Sequence, residues 1–176
     1  MKALVVGGGI AGPAAALAMA KAGIEPLVLE RRPVVDPEAG SWFTVAPNGL
    51  DALQAIDALE AAQEGGVPSR ANVMYGATGR RLGKVSLGLP LENGLVGLTM
   101  KRSWLAARLG REAERRGIVV RRAAEVTQVT DAGDHVEATL TDGDVLTAEL
   151  LVAADGVHSR VRQAIGHRRP QPAMWA

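Results

Sequence analysis

The chain has 176 residues, and its 20 Lys and Arg nearly balance its 19 Asp and Glu, for a formal net charge of +1. This balance gives no electrostatic support for binding nucleic acid or an anionic membrane surface. The chain contains no cysteine, which excludes disulfides, thiolate metal sites, iron–sulfur clusters and a cysteine nucleophile. It is typical of a globular domain, with 47% hydrophobic residues.

The N-terminus begins like a signal peptide, because Lys2 precedes an apolar run. Three glycines at Gly7 to Gly9 interrupt that run, and Lys21 closes the next one. No apolar stretch is long enough for a membrane helix. We therefore expect a cytoplasmic protein without a membrane span.

The first elements form a β-α-β unit. Ala3–Val6 predicts a buried strand, Ala11–Ala22 predicts an alanine-rich helix with Pro13 in its first turn, and Pro26–Glu30 predicts a second strand. Gly23 is suited to end the helix. The two strands should be parallel, since a helix connects them.

The middle of the chain has weaker patterns. Arg31–Asn48 contains several Pro and Gly residues and predicts a long loop, and Gly49–Ala62 predicts one helix. Ala71–Tyr75 and Arg81–Val85 predict two strands joined by the turn "GATGR". Val96–Met100 predicts a further strand.

The remainder returns to a buried strand by way of a meander. Trp104–Arg116 predicts a helix that Gly117 ends, and Ile118–Arg121 predicts a strand. Alternating apolar residues separated by "DAGD" and "TDGD" then predict a three-stranded β-meander. Leu150–Ala153 predicts a buried strand and Ser159–Ile165 a short helix, whereas "HRRPQPAMWA" predicts no element.

The most informative motif is Gly7-x-Gly9-x-x-Gly12, which lies between the first strand and the first helix. Gly7 permits the sharp turn, Gly9 lets the backbone approach a pyrophosphate, and Gly12 allows close packing of helix on strand. The helix N-terminus offers free N–H groups to phosphates. The strand before and the helix after the motif support a dinucleotide-binding fingerprint.

Glu30 ends the second strand, 18 residues after Gly12. A carboxylate there accepts hydrogen bonds from the ribose hydroxyls of adenosine and repels a ribose 2′-phosphate. The site therefore favours FAD or NAD over NADP. The alternative is that the glycines form only a tight turn and that Glu30 is a solvated strand end.

Other chemistries find little support. The spacing of His135, His158 and His167 matches no metal site, and no serine lies in a nucleophile elbow. We expect no metal and no protein nucleophile. A simple NAD dehydrogenase would continue with further β-α units. This chain continues instead with a loop, short strands and a meander before the last strand of the sheet.

Four stretches carry a resemblance that covers essentially the whole chain in order: "VVGGGIAGPAAALAMAKAG" running into "VLERRP", "GSWFTVAPNGLDALQAIDALEAA", "MKRSWLAARLG" and "LLVAADGVHSRVRQAIG". The chain resembles the flavin-dependent aromatic-hydroxylase-type monooxygenases, which have the para-hydroxybenzoate hydroxylase fold. The resemblance implies an α/β fold, a Rossmann-like FAD/NAD(P)-binding domain with an inserted three-stranded β-meander. Residues 1–176 would be the N-terminal portion of this domain, and 71–100 would contribute strands of an incomplete substrate-binding sheet.

The resemblance also implies roles for individual residues. Glu30 would bind the adenosine ribose, with Arg31 beside the adenine or ribose. Arg102 would reach the FAD pyrophosphate or ribityl chain, and Asp155 with Gly156 would support FAD and NAD(P)H together. Thr44 or its neighbours would lie near the flavin. 

Two of these residues have structural alternatives. Arg102 is otherwise one more solvated charge of an arginine-rich helix. Asp155-Gly156 is otherwise a turn before a helix capped by Ser159, which is compatible with the first role. Arg160 and Arg162 are expected to be surface charges.

The family reaction implies FAD, transient NAD(P)H, dioxygen and a small organic substrate, with aromatic compounds among the candidates. Family members continue for about as long again, so a truncated, frameshifted or split gene product is expected, with self-association or a complementary C-terminal fragment as partner. Three functions stay open: the N-terminal FAD-binding part of a flavin monooxygenase, a nucleotide-binding module without turnover, and an NAD-dependent dehydrogenase. No catalytic residue is assigned.

Overall fold

The computed structural model describes residues 1–34, 36 and 39–166. The chain divides into two compact units, one made of Met1–Val34 and Ala113–Ala176 and the other of Val35–Glu112. The described elements in chain order are β1 (Lys2–Val6), α1 (Ala11–Lys21), β2 (Glu25–Glu30), β3 (Trp42–Val45), α2 (Pro47–Ala55), α3 (Leu59–Gln63), β4 (Val67–Ser69), β5 (Ala71–Tyr75), β6 (Arg81–Ser86), β7 (Gly97–Lys101), α4 (Arg102–Arg115), β8 (Val119–Arg122), β9 (Val126–Asp131), β10 (Val136–Leu140), β11 (Val145–Ala148), β12 (Leu150–Ala153) and α5 (Arg160–Ala164).

The first unit is built on a four-stranded parallel sheet with the order β12-β1-β2-β8. The central strand β1 pairs through Val5 with Val28 on one side and with Val152 on the other. The predicted β-α-β unit and the predicted return strand are confirmed. Strands that are buried on both faces of a sheet have nearly continuous apolar sequences, so β1 could be recognised from its sequence.

The predicted meander is also confirmed, as an antiparallel sheet of order β11-β10-β9. Its inner face shares one core with the parallel sheet, in which Leu4 and Leu29 pack with Ala138 and Leu140. Val161 of α5 belongs to the same core. The alternation of apolar residues in the meander thus marks the face that covers the sheet.

The second unit contains the antiparallel sheet β3-β7-β4, the two-stranded hairpin β5-β6 and the helices α2 and α3. The loop predicted over Arg31–Asn48 is wrong at Trp42–Val45, because this short β-forming segment pairs with the distant strand β7. Strand β4, also paired with β7, was not predicted.

The single helix predicted over Gly49–Ala62 is two helices. Asp57 adopts a left-handed conformation with φ 57°, which an α-helix cannot continue through. The backbone nitrogen of Ala58 donates to the Leu53 carbonyl at 2.8 Å and closes the end of α2. Leu50 and Leu53 are the buried leucines of α2.

Within the described ranges, no helix combines the length and the apolar character needed to cross a bilayer.

Candidate functional site

The glycine motif forms a turn with almost no free space on its inner side. Gly7 has φ 114°, and its nitrogen donates to the Leu29 carbonyl at 2.8 Å. A Cβ at Gly7 would lie 2.4 Å from the Ala154 carbonyl oxygen, and a Cβ at Gly12 would lie 1.7 Å from that of Gly7. Both glycines are therefore required by the close approach of β1, α1 and β12.

Gly9 is different, because a Cβ at this position would meet no described atom within 4 Å. It faces a cavity of about 340 Å³ in the first unit. Helix α1 begins just after it, with no acidic residue in its first turn and no side-chain cap at Ile10 in the described structure. Free backbone N–H groups and an uncovered glycine surface are what a pyrophosphate needs.

Glu30 lies where β2 ends, and backbone hydrogen bonds fix its carboxylate. Its Oε2 accepts from the nitrogen of Gly8 at 2.6 Å, and its Oε1 accepts from the nitrogen of Arg32 at 2.9 Å. Each carboxylate oxygen can accept a further hydrogen bond. The carboxylate is thus held on the cavity wall with capacity for ribose hydroxyls.

Asp155 also lines the cavity, and it follows β12, which lies on the other side of β1 from β2. Its Oδ2 accepts from the nitrogens of Arg160, at 2.8 Å, and Val161, at 3.3 Å, at the start of α5. Its Oδ1 is buried and has no hydrogen-bond partner among the described residues. Buried acceptors without a donor are uncommon in folded proteins.

A turn at Gly156 connects Asp155 to the short helix α5. Gly156 has φ 83°, a conformation that favours glycine. The Ser159 hydroxyl accepts from the nitrogen of Arg162 at 2.9 Å, so Ser159 is the predicted N-cap of the short helix. Capping and cavity lining therefore occur together in this segment.

Six of the eight predicted site residues line the cavity: Gly7, Gly9, Glu30, Arg31, Asp155 and Gly156. Gly12 packs directly against Gly7. Arg102 belongs to the second unit, where its guanidinium carbon lies 5.4 Å from the centre of the Phe43 ring. The backbone nitrogen of Arg102 donates to the Ser41 carbonyl. Thr44, in the same unit, lies with its Oγ1 2.8 Å from Thr99 Oγ1.

A family model described as an FAD binding domain matches residues 1–175. The chain belongs to the FAD-dependent aromatic hydroxylase family. The predicted family and the predicted FAD cofactor are confirmed.

Several curated relatives are hydroxylases or synthases. This chain is 34% identical over 166 residues to 3-hydroxybenzoate 6-hydroxylase 1 of Aquipseudomonas alcaligenes, covering 92% of this chain and 42% of the relative. It is 35% identical over 167 residues to the 2-heptyl-3-hydroxy-4(1H)-quinolone synthase of Pseudomonas aeruginosa, covering 94% and 42%. The chain thus spans about 42% of the length of these relatives.

Solved structures show the same partial coverage. The tetrameric form of 2-methyl-3-hydroxypyridine-5-carboxylic acid oxygenase matches with a TM-score of 0.79 and 30% identity, over 94% of this chain and 42% of that one. Klebsiella pneumoniae HpxO complexed with FAD and uric acid matches with a TM-score of 0.78 and 29% identity, over 92% and 41%.

The cavity of this FAD-binding domain also contains residues that the sequence analysis missed. Arg160, expected to be a surface charge, lines the cavity and pairs with Glu125 at 3.1 Å. Ala124 and Val126 line the same cavity at the start of the meander. The sequence signal for Ala124 and Val126 was that the meander directly follows β8. The first residues of the meander therefore lie at the carboxyl edge of the sheet.

Proposed function

We propose that this chain holds the ADP half of FAD in an NAD(P)H- and O2-dependent monooxygenase that hydroxylates a small organic substrate. The observation that carries the proposal is the pairing of an uncovered Gly9 with the fixed carboxylate of Glu30 on one cavity. The family match supports the cofactor, and the names of the relatives support an aromatic substrate class.

The residues of the first unit suit the two polar parts of the ADP group. The N-terminus of α1 behind Gly9 would bind the pyrophosphate through backbone N–H groups. Glu30 would accept from the adenosine ribose hydroxyls, and its charge would disfavour a ribose 2′-phosphate. Arg31 would lie beside the adenine or ribose.

Three further residues, Asp155, Gly156 and Arg102, would lie along the rest of the cofactor. Asp155 Oδ1 is a buried acceptor, and a hydroxyl of the cofactor would supply the missing donor. Gly156 keeps the adjacent backbone uncovered. Arg102, held over Phe43, would reach the pyrophosphate or ribityl chain with a charged, donor-only group.

When bound, FAD supplies the redox chemistry, and the protein contributes binding, orientation and exclusion of water. No side chain is assigned as a nucleophile or general base. NAD(P)H would be a transient co-substrate, as the family reaction implies. We place the protein in the cytoplasm, which its lack of cysteine supports.

The hairpin β5-β6 has an exposed apolar surface that suits contact with a partner. Val73, Val85 and Leu82 are 42%, 53% and 66% exposed, so the hairpin presents apolar side chains to solvent. We propose that this surface, part of the 71–100 strands assigned to a substrate sheet, is covered by self-association or by a complementary C-terminal fragment. An analytical ultracentrifugation series over concentration tests self-association; a monomer at all concentrations contradicts it.

A competition experiment tests the cofactor assignment without requiring turnover. FAD binding is measured by fluorescence, and ADP, FMN, NAD⁺ and NADP⁺ are added separately as competitors. The proposal predicts displacement by ADP, little displacement by FMN and weaker displacement by NADP⁺ than by NAD⁺, because the site recognises an unphosphorylated adenosine ribose. Displacement by FMN but not ADP would contradict it.

The other candidate functions give different results in the same samples. A nucleotide-binding module without turnover would bind FAD but would not oxidise NAD(P)H or consume oxygen. An NAD-dependent dehydrogenase would bind NAD⁺ and not FAD. 

A further inference from the structure

Two asparagines of the second unit are followed by glycine, in the pairs Asn48-Gly49 and Asn93-Gly94. In such a pair the glycine nitrogen can attack the side-chain carbon of the asparagine, because glycine has no Cβ to obstruct the approach. The new nitrogen–carbon bond closes a five-membered succinimide, and the side-chain nitrogen leaves as ammonia with the proton of the attacking nitrogen. Water then opens the ring at either carbonyl and yields aspartate or isoaspartate.

Asn93 lies at the tip of a three-residue loop. The nitrogen of Leu91 donates to the Leu95 carbonyl at 2.9 Å, and the nitrogen of Gly94 donates to the Leu91 carbonyl at 2.8 Å. Gly94 has φ 80°, which is typical of the last residue of such a loop. A Cβ at Gly94 would meet no described atom within 4 Å. The described part of the chain therefore leaves the space around Gly94 open.

The Asn93 side chain is held by a hydrogen bond that is exposed to water. Its Oδ1 accepts from the nitrogen of Leu95 at 3.0 Å. Such a bond contributes little net stability, because water replaces the partner when it opens. Opening of the loop tip also exposes no buried side chain, since residues 92–94 are already exposed. The conformation in which Gly94 reaches the Asn93 side-chain carbon should therefore be visited often.

Asn48 is the second residue of α2, and the helix restrains it. The nitrogens of Gly49 and Leu50 both donate to the Ala46 carbonyl, at 2.9 Å and 3.1 Å. The helical backbone keeps the Asn48 side-chain carbon away from the Gly49 nitrogen, so ring closure requires the first turn to unwind. Unwinding would expose Leu50, which is 0% exposed, and the buried Pro47. The loss of this burial makes the reactive conformation rare.

We propose that Asn93 is a site of spontaneous deamidation in the folded chain and that α2 protects Asn48 from the same reaction. Each asparagine is followed by Gly and then Leu, so the fold, and not the following sequence, makes the difference. The inference does not depend on FAD binding, because neither asparagine lines the dinucleotide cavity. The experiment is therefore made without flavin.

The isoaspartate product should weaken the second unit. Isoaspartate carries the main chain through the former side-chain carbon and so lengthens the backbone by one carbon. The longer loop disturbs the pairing of Leu91 with Leu95, which precedes the buried Val96 and the start of β7. Asn93→Asp adds the same charge on a normal backbone. The purified isoaspartate form should therefore unfold at a lower urea concentration than Asn93→Asp, and equal midpoints would contradict this consequence.

The test is incubation of the full chain in mildly alkaline buffer, followed over time by mass-spectrometric peptide mapping. In the folded chain, deamidation at Asn93 should be at least about tenfold faster than at Asn48, because the rate follows the population of the open conformation. In urea, where neither asparagine is restrained, the two rates should differ by less than about threefold. The rate at Asn93 should rise with pH, since the attacking nitrogen must lose its proton.

Two matched variants identify the reacting residue. Asn93→Gln should remove most of the mass gain of the folded chain, because the longer side chain would have to close a six-membered ring. Asn48→Gln is the control and should leave the mass gain unchanged. Circular dichroism shows that both variants are folded.

Three results would overturn the proposal: equal rates at the two asparagines in the folded chain, a ratio of rates that urea leaves unchanged, or aspartate without isoaspartate at residue 93. The second result would assign the difference to sequence, and the third would indicate direct hydrolysis without a succinimide. Failure to bind FAD in the separate competition experiment would leave these results untouched, so the two proposals fail independently.

Discussion

Glu30 Oε2 accepts a hydrogen bond of 2.6 Å from the backbone nitrogen of Gly8, so the carboxylate at the end of β2 is joined directly to the glycine turn after β1. A Cβ at Gly8 would lie 2.7 Å from Glu30 Cβ, which shows how closely the two segments approach. The groups proposed for the ribose and for the pyrophosphate therefore adjoin each other in the same cavity. A change at Glu30 should affect both.

Replacing Glu30 with Gln should weaken FAD binding about tenfold or more, because charged hydrogen bonds to a ligand are lost or made neutral. Equilibrium dialysis with FAD measures the change. Glu25→Gln is the matched control, since Glu25 begins the same strand and does not line the dinucleotide cavity. Equal affinities of the two variants would contradict the role of Glu30.

Gly12→Ala and Gly9→Ala should separate folding from binding. At Gly12 the new Cβ would lie 1.7 Å from the Gly7 carbonyl oxygen, so overpacking should reduce the free energy of unfolding by about 2–3 kcal/mol. At Gly9 the methyl would enter open space and should change stability by less than about 0.5 kcal/mol.

Stability and FAD affinity should therefore be affected separately in these two variants. Gly9→Ala, although stably folded, should bind FAD more weakly because the methyl occupies the approach of the pyrophosphate. Urea denaturation and FAD titration measure the two effects. A Gly9→Ala protein with wild-type FAD affinity would show that the pyrophosphate does not approach this residue.

Arg102→Gln should weaken FAD binding about tenfold, since a charge-assisted hydrogen bond to a phosphate would be lost. Arg111→Gln is a control on the same helix, because Arg111 is also exposed. Loss of the contact with Phe43 alone should cost about 1 kcal/mol or less of stability and no specific FAD affinity. If the two variants bind FAD equally well, Arg102 is only a surface charge.

His135 should make stability depend on pH. Its Nδ1 lies 2.6 Å from Asp134 Oδ1 and its Nε2 lies 3.4 Å from Glu137 Oε1. The hydrogen bond to Asp134, and then the one to Glu137, raise the pKa of His135 above its ordinary value of 6.5. The hydrogen bond from His135 lowers the pKa of Asp134.

Because the folded state raises the His135 pKa, the stabilisation is fully present below the ordinary value and is lost as the pH rises through the folded value. The melting temperature should therefore fall as the pH rises above 6.5, and His135→Gln should reduce this fall. Asp134→Asn should reduce it as well. A pH dependence that is identical in wild type and both variants would show that another group is responsible.

The β-α-β unit and the meander could be predicted because local pattern and tertiary structure agree there. Glycines mark the turn after β1, and alternation marks the covered face of β9 and β10. The strand Trp42–Val45 could not be predicted, since only four residues form it between breakers and its partner β7 lies far away in sequence. The break at Asp57 was hidden because a left-handed non-glycine residue has no simple sequence signal.

The candidate site was predictable to a similar degree. Its glycines and Glu30 follow a known spacing, so their residue types and positions could be read directly. The Glu125–Arg160 pair and the unpartnered Oδ1 of Asp155 depend on where the meander and α5 pack. Such contacts between segments distant in sequence follow from the three-dimensional fold and not from a local pattern.

The most direct measurement is a visible absorption spectrum of the purified chain after incubation with FAD and removal of free flavin. We expect a retained flavin spectrum in the wild type and its loss or strong reduction in Glu30→Gln. A wild-type protein that is folded by circular dichroism but retains no flavin would contradict the claim that the cavity behind Gly9 and Glu30 holds FAD in this chain.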